Sequence, residues 1–298
     1  MNVREQGFLL LTGYLGDPER KPLTLAQFRE LTVRARQMQR PKEERSMTEE
    51  DLISIGCDRA FAQRVLTLLS HKKQLQQYVI KGMQQGCYPL TRISDQYPKC
   101  LRLRLGLDAP GVLWFKGDPA LLNKAGISLV GSRDIWPKNA EFAAEVGKEA
   151  ARQGYVLISG NARGADRLSQ EQAWRNGGPV ISVVADALEK HSARSGVVYL
   201  AEEGYDLPFS AQRALQRNRI IHAMGQKVFV AQCDMQRGGT WSGTCRNLQK
   251  GWSPVFCFRD GSEVAVELEQ MGATLITKED LQDISALQPK EGNLLRDE

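Results

Sequence analysis

Three histidines in 298 residues (His71, His191 and His222) are too few for a histidine-based metal centre, and the cysteines do not make up the shortfall. Cys57, Cys87, Cys100, Cys233, Cys245 and Cys257 contain no CxxC pair, and none stands at a zinc-ligand spacing from a histidine. They read as reduced, small hydrophobic residues, and neither metal nor cofactor is expected. The common nucleotide-enzyme signatures are also missing. The absence of GxGxxG and GxxxxGK[ST] argues against dinucleotide redox chemistry and ordinary nucleoside-triphosphate hydrolysis. There is no GxSxG nucleophile elbow. Long hydrophobic runs are lacking: the apolar stretch at Phe8–Leu11 is too short for a secretory core, and nothing approaches the ~18 residues of a membrane span. A cytoplasmic protein without membrane association is expected. A dominant charge is missing too. Forty Lys and Arg against thirty-five Asp and Glu leave +5, which permits an anionic partner without requiring one. Any case for nucleic acid must rest on where the charges sit.

What is present divides into two parts and a tail. Residues 1–85 read as a small all-α module. Leu23, Leu25, Phe28, Leu31 and Ala35 recur at helical spacing, Pro41 breaks a charged stretch, and Thr48 is placed to cap a short helix with Asp51 three residues on. Gly56 ends that helix, and Asp58 opens a longer helical stretch that reads as one helix or two. Residues 86–124 read as a lead-in to the second part, 86–285. There seven short apolar runs alternate with amphipathic segments: Ile127–Val130, Val156–Ile158, Val180–Val184, Val197–Leu200, Val228–Ala231, Val255–Phe258 and Thr274–Ile276. Continuous apolar strands joined by helices predict an α/β fold with a Rossmann-like, doubly wound, mostly parallel sheet. The polar stretch 286–298 reads as a frayed tail.

Ligands of such sheets bind beyond the carboxyl ends of the strands, so the residues after each run carry the interest. Gly131-Ser132-Arg133 follows the first run, and Ser159-Gly160-Asn161-Ala162-Arg163-Gly164-Ala165-Asp166 follows the second. Gly238-Gly239-Thr240-Trp241-Ser242-Gly243-Thr244 follows the fifth. Small residues allow a close backbone approach, and the first N–H groups of the following helix are unsatisfied and partly positive. Ser132, Ser159, Ser242 and Thr244 add hydroxyls, and Arg133 and Arg163 add charges suited to phosphate. Three such turns on one sheet edge form an anion cradle. Arg217-Asn218-Arg219, on a helix that also carries Arg213, is expected to face the same edge. Trp136 and Trp241 are candidates to stack a base. Glu202 and Glu203 could form a catalytic carboxylate pair, but pairing with the arginines is the preferred reading.

In this order the motifs resemble the DNA-processing protein A (DprA/Smf) family: Tyr97-Pro98 with LWFKGD at 113–118, then Gly131-Ser132-Arg133, then Ser159-Gly160 with Ala162, Gly164 and Asp166. Ala201-Glu202, Arg217-Asn218-Arg219-Ile220-Ile221 and Ser242-Gly243-Thr244 complete the series. The likeness spans about residues 86–280 and, weakly, the helical module, which resembles the family's sterile-alpha-motif-like domain. It implies a non-catalytic protein that binds single-stranded DNA without strong sequence preference, protects it, assists loading of a RecA-type recombinase during DNA uptake and recombination, and forms a homodimer. The implied contacts with DNA or phosphate are Gly131, Ser132, Arg133, Ser159, Gly160, Arg163, Gly164, Arg217, Asn218, Arg219, Ser242, Gly243 and Thr244. Two other readings use the same cradle. One is a nucleotide-sensing module. The other is a LOG-type nucleoside-phosphate hydrolase, whose characteristic turn ends in a Glu where this chain has Asn247.

Overall fold

A computed structural model describes residues 1–36, 38 and 46–290. The break expected at Pro41 and the tail from 291 lie outside the described residues. The helical module consists of α1 (Val3–Thr12), α2 (Leu25–Ala35), α3 (Glu49–Ser54), α4 (Arg59–Ser70) and α5 (Lys72–Gln84). Its starts follow local chemistry. Thr48 accepts from Asp51 N–H while the Asp51 carboxylate accepts from Thr48 N–H, a reciprocal capping box, and Asp58 caps α4 through Phe61 N–H.

The rest of the chain runs β1 (Tyr88–Thr91), α6 (Lys99–Leu105), β2 (Val112–Lys116), β3 (Gly126–Val130), α7 (Pro137–Arg152), β4 (Val156–Ser159), α8 (Ala165–Arg175) and β5 (Val180–Val183). It continues through β6 (Val197–Glu202), α9 (Ala211–Met224), β7 (Val228–Val230), α10 (Gly238–Lys250), β8 (Val255–Phe258), α11 (Glu263–Gln270) and β9 (Thr274–Ile276). The strands form one sheet in the order β1-β2-β6-β5-β4-β3-β7-β8-β9. β3 to β9 are the seven predicted runs and pair in parallel, as expected of a mostly parallel doubly wound sheet. The lead-in holds more than was read from it: β1 and β2 extend the sheet by two antiparallel pairings, with Trp114 opposite Ala201. Strand order reverses between β3 and β7, so the crevice beyond their carboxyl ends is where this topology places a ligand.

The two faces are covered differently. On one, α6, α9, α10 and α11 pack over Val198, Leu200, Val228 and Val230. On the other, α7 and α8 cover Ile127, Leu129, Leu157 and Val180. Farther along this second face, the helical module takes over. Phe8, Leu75 and Tyr78 share a core with Val112 and Trp114 of β2 and Ala201 of β6. Between α8 and the module, β5 returns to β6 through residues 184–196 with only a short 3-10 turn at Leu188–Lys190. The crossover helix that would normally cover this part of the sheet is missing. No described helix is long and apolar enough to cross a membrane.

Candidate functional site

Two adjoining clefts open at the switch point. The first, about 420 Å³, lies between the loop after β3, the start of α10 and one side of α9. The second, about 380 Å³, lies over the loops after β4 and β5. Arg133, Ala162 and Arg217 line both. The structure therefore brings Arg133 and Arg217 together at one sheet edge. The second cleft carries Arg133, Arg163, Arg167 and Arg217 against a single carboxylate, Asp186, whereas in the first Arg133, Arg217 and Arg237 are matched by Asp134, Asp166 and Asp234.

Arg217 organises this edge. It is 7% exposed, its Nη2 donates to Gly160 O at 2.9 Å, and its Nε is buried with no partner among the described residues. Burial lowers its pKa, and Asp166 opposes that shift. Asp166 is buried as well. Loss of solvation pushes its carboxyl up, while Arg217 and the N–H groups around Ala162 and Gly160 pull it down. The glycines make this packing possible. A Cβ on Gly160 would fall 1.8 Å from Arg217 Nη1, and one on Gly131 would fall 2.4 Å from Ala165 Cβ. Gly164, at φ +83°, adopts a backbone few side chains tolerate, and its Cβ would meet Ser132 O at 2.4 Å. These three glycines are fixed first by loop-on-loop packing, which brings the two turns together.

The remaining sequence candidates separate. Ser132 lines the first cleft, but Ser159 is fully buried and donates to Leu129 O. Arg163 faces the second cleft and is held by Asp134 at 2.6 Å, both largely exposed. Asn218 ties α9 to α10 by donating to Gly239 O at 2.9 Å. Arg219 turns away from the clefts: its Nη1 meets Glu202 Oε2 at 3.0 Å, its Nη2 pairs with the other oxygen, and its Nε reaches Asp108 O. The preferred pairing of Glu202 with this helix is the observed one. Arg213 clasps Ala185 O, Leu207 O and Pro208 O and fixes the approach to α9.

The turn expected at 238–244 is the opening of α10. Arg237, Gly238, Gly239 and Thr240 line the first cleft. Ser242 is exposed and donates back to Gly238 O, while Gly243 and Thr244 are buried within the helix. The part of this segment that lines the cleft thus lies about one helical turn before Ser242-Gly243-Thr244. Of the two tryptophans, Trp241 packs against the core and Trp136 is 53% exposed beside the first cleft, over Gln232 and Arg237. Asn247 holds Ser253 through both its amide atoms. Sequence reasoning missed Arg167, Arg237 and Phe209. Arg167 and Arg237 each stand beside a turn already singled out. Phe209 is 56% exposed on the rim of the second cleft, and no motif marks it. Among the described residues, no cluster of His, Cys, Asp or Glu could hold a metal.

A doubly wound sheet with an open, arginine-lined crevice at its switch point defines a Rossmann-like protein. The profile of DNA recombination-mediator protein A matches residues 89–286, and the chain belongs to this family, as the motif resemblance implied. The chain is similar to the DNA processing protein DprA of Bacillus subtilis, with 28% identity over 209 residues, 65% of this chain and 69% of that one. It is also similar to DprA of Streptococcus pneumoniae, with 28% identity over 220 residues, 69% and 73% of the two chains. The X-ray structure of the Streptococcus pneumoniae protein shares the fold at a TM-score of 0.68 and 22% identity, covering 94% of this chain and 98% of that one. DNA processing protein A from Helicobacter pylori, whose solved structure concerns a single-stranded DNA binding mode, aligns at a TM-score of 0.52 and 23% identity over 64% and 90%.

Proposed function

We propose that this chain binds single-stranded DNA along the paired clefts, without turnover, as a DprA-type mediator in DNA uptake and recombination. The observation that carries the reading is the convergence of Arg133 and Arg217 on two open clefts that run into each other, with Arg163, Arg167 and Arg237 along them. An extended groove of guanidinium groups suits a phosphodiester backbone better than a free nucleotide, which is normally enclosed. In this reading Gly131, Ser132, Gly160 and Gly164 shape the loops, and Arg133, Arg163 and Arg217 meet phosphates. Asn218 and Gly243 act by holding α9 against α10, Arg219 by fixing α9 to Glu202, and Ser242 and Thr244 as parts of α10 itself. The same reading divides the chain near residue 85 and places it in the cytoplasm. It also gives the chain a RecA-type recombinase and a second copy of itself as partners. Light scattering on the purified chain tests the dimer.

The hydrolase alternative would draw on Glu202 and Asp166, and both are engaged. Glu202 is engaged by Arg219, and Asp166 lies beneath Arg217. The deciding experiment measures single-strand affinity across a salt series. Neutralisation of about three phosphates gives a log–log slope of about −2, from ~0.7 per phosphate. A salt-independent affinity, or release of free base from nucleoside monophosphates that is abolished in Glu202→Gln, refutes the reading.

A further inference from the structure

A third cavity, of about 240 Å³, lies where the crossover helix between β5 and β6 is missing. Its roof is one stripe of α8. Arg167, Gln170, Glu171 and Trp174 sit at i, i+3, i+4 and i+7 and all line it. A stripe turned over a sheet face is ordinarily apolar, and this one is not. The opposite stripe of the helix meets that expectation, since Ala165, Ser169 and Ala173 are fully buried and Ser169 lies against Gly147 of α7. The floor is mixed, with Val180 and Val197 beside two polar residues. Ser182 of β5 and Tyr199 of β6 face the space, and Ser182 is 2% exposed in the middle of the sheet. Arg194, from the short return loop, closes one side by lying 4.0 Å over the Trp174 ring.

Gln170 is the unexplained residue. It is 7% exposed, and its Nε2 is buried without a hydrogen-bond partner among the described residues. An unused buried amide is costly, and such groups are rare in folded proteins unless something completes them. Glu171 is paired with Arg175 at 2.6 Å and leaves no net negative charge at the rim. The cavity is also connected to the site above, because Asn161 and Arg167 line both this space and the second cleft. At about 240 Å³ it is smaller than the ~300–1,000 Å³ of pockets that take whole drug-sized ligands, so it suits a single flat group.

Resting on single-strand binding at the clefts, we infer that this cavity receives one nucleobase of the bound strand. The backbone passes Arg167, and the base turns in beneath α8. A base edge sets a hydrogen-bond donor beside a carbonyl acceptor, as an amide does, so Gln170 can pair with it whichever way its amide is turned. Trp174, one face of which carries Arg194, and Tyr199, stacked by His191 at 4.7 Å, stand beside it.

The test compares wild type with Gln170→Leu and with Arg194→Ala, using an oligothymidylate of about 16 nucleotides and an abasic strand of equal length. Leu keeps the volume and removes the unpartnered amide, so the fold should persist with an unchanged melting temperature. Arg194→Ala opens one side of the cavity by removing an exposed side chain and no core contact. The expected result is that each variant binds oligothymidylate about tenfold more weakly and the abasic strand as well as wild type does. Irradiation of a strand carrying 5-iodouracil should also crosslink it to Trp174 or Tyr199. Unchanged oligothymidylate affinity in both variants, or crosslinks confined to Phe209 and Trp136, overturns the base pocket while leaving the cleft reading intact. Loss of affinity for a free nucleoside monophosphate alone would assign the pocket to a free nucleotide and overturn the inference. Failure of the wild type to bind either strand refutes the cleft reading and the pocket together.

Discussion

Substitution of Gly160 by alanine tests whether the switch-point loops are organised around Arg217. The three atoms nearest to an added Cβ all belong to that guanidinium: Nη1 at 1.8 Å, Nη2 at 2.2 Å and Cζ at 2.3 Å. None of these distances is tolerable, so Arg217 must leave. It then loses its 2.9 Å bond to Gly160 O, a charge-assisted interaction worth about 1.5–3 kcal/mol. Asp166 loses the nearby cation that offsets its burial. The expected destabilisation is about 2–4 kcal/mol, below the ~3–5 kcal/mol for removing one member of a buried pair outright, because the displaced cation remains on the protein. Arg217→Met keeps the stem and removes Cζ and both Nη atoms. In that background, Gly160→Ala should cost less than about 0.5 kcal/mol, so nearly the whole effect appears as coupling in a double-mutant cycle. Denaturant unfolding of the four proteins measures it. Additive losses, or a Gly160→Ala protein as stable as wild type, would show that Gly160 is not small on Arg217's account.

Three further outcomes follow from the same geometry. Without Arg217, the buried Asp166 carboxyl rises further above its unfolded value. The native state of Arg217→Met then gains stability as pH falls toward that raised pKa, and its deficit against wild type should be smaller at about pH 5 than at about pH 7; a pH-independent deficit contradicts this. His222 is fully buried and its pKa is lowered to about 3, so the unfolded chain binds a proton there that the native chain refuses. Stability should fall as pH drops from about 6.5 toward 3, by up to ~1.4 kcal/mol per unit, and His222→Leu should flatten that slope in urea titrations. Trp241→Ala should lower stability by about 2–3 kcal/mol without changing strand affinity, whereas Phe209→Ala should weaken strand binding about tenfold in an equally stable protein; the reverse pattern would exchange their roles.

The parallel part of the sheet was legible because its strands are buried on both faces and therefore read as unbroken apolar runs, as in Val180–Val183 and Val255–Phe258. β1 was not. It is four residues long, contains Pro89 and ends the sheet, and such a strand carries little signal. The turns after β3 and β4 were found by their glycines, although the reason for those glycines, contact with Arg217 and with the facing loop, exists only in three dimensions. The arginines of α9 show the limit of spacing arguments. Arg217 and Arg219 are two residues apart, yet one is buried toward Gly160 and the other is carried outward to Glu202. Long side chains on neighbouring positions serve opposite sides of a helix, and sequence alone does not say which side holds the cleft. The polar stripe of α8 was hidden for the same reason: its meaning depends on a helix that the β5–β6 connection lacks.

The shared core of the helical module and the sheet sets a schedule for the growing chain. Phe8, Leu75 and Tyr78 leave the ribosome early, but the Ala201 and Tyr205 surface they pack against follows more than a hundred residues later. At about 5–20 residues per second, the module waits roughly 6–25 s with that apolar face uncovered. A nascent chain paused before β2 leaves this apolar face without any sheet partner, and one paused between β2 and β5 offers it only Val112 and Trp114 of the sheet.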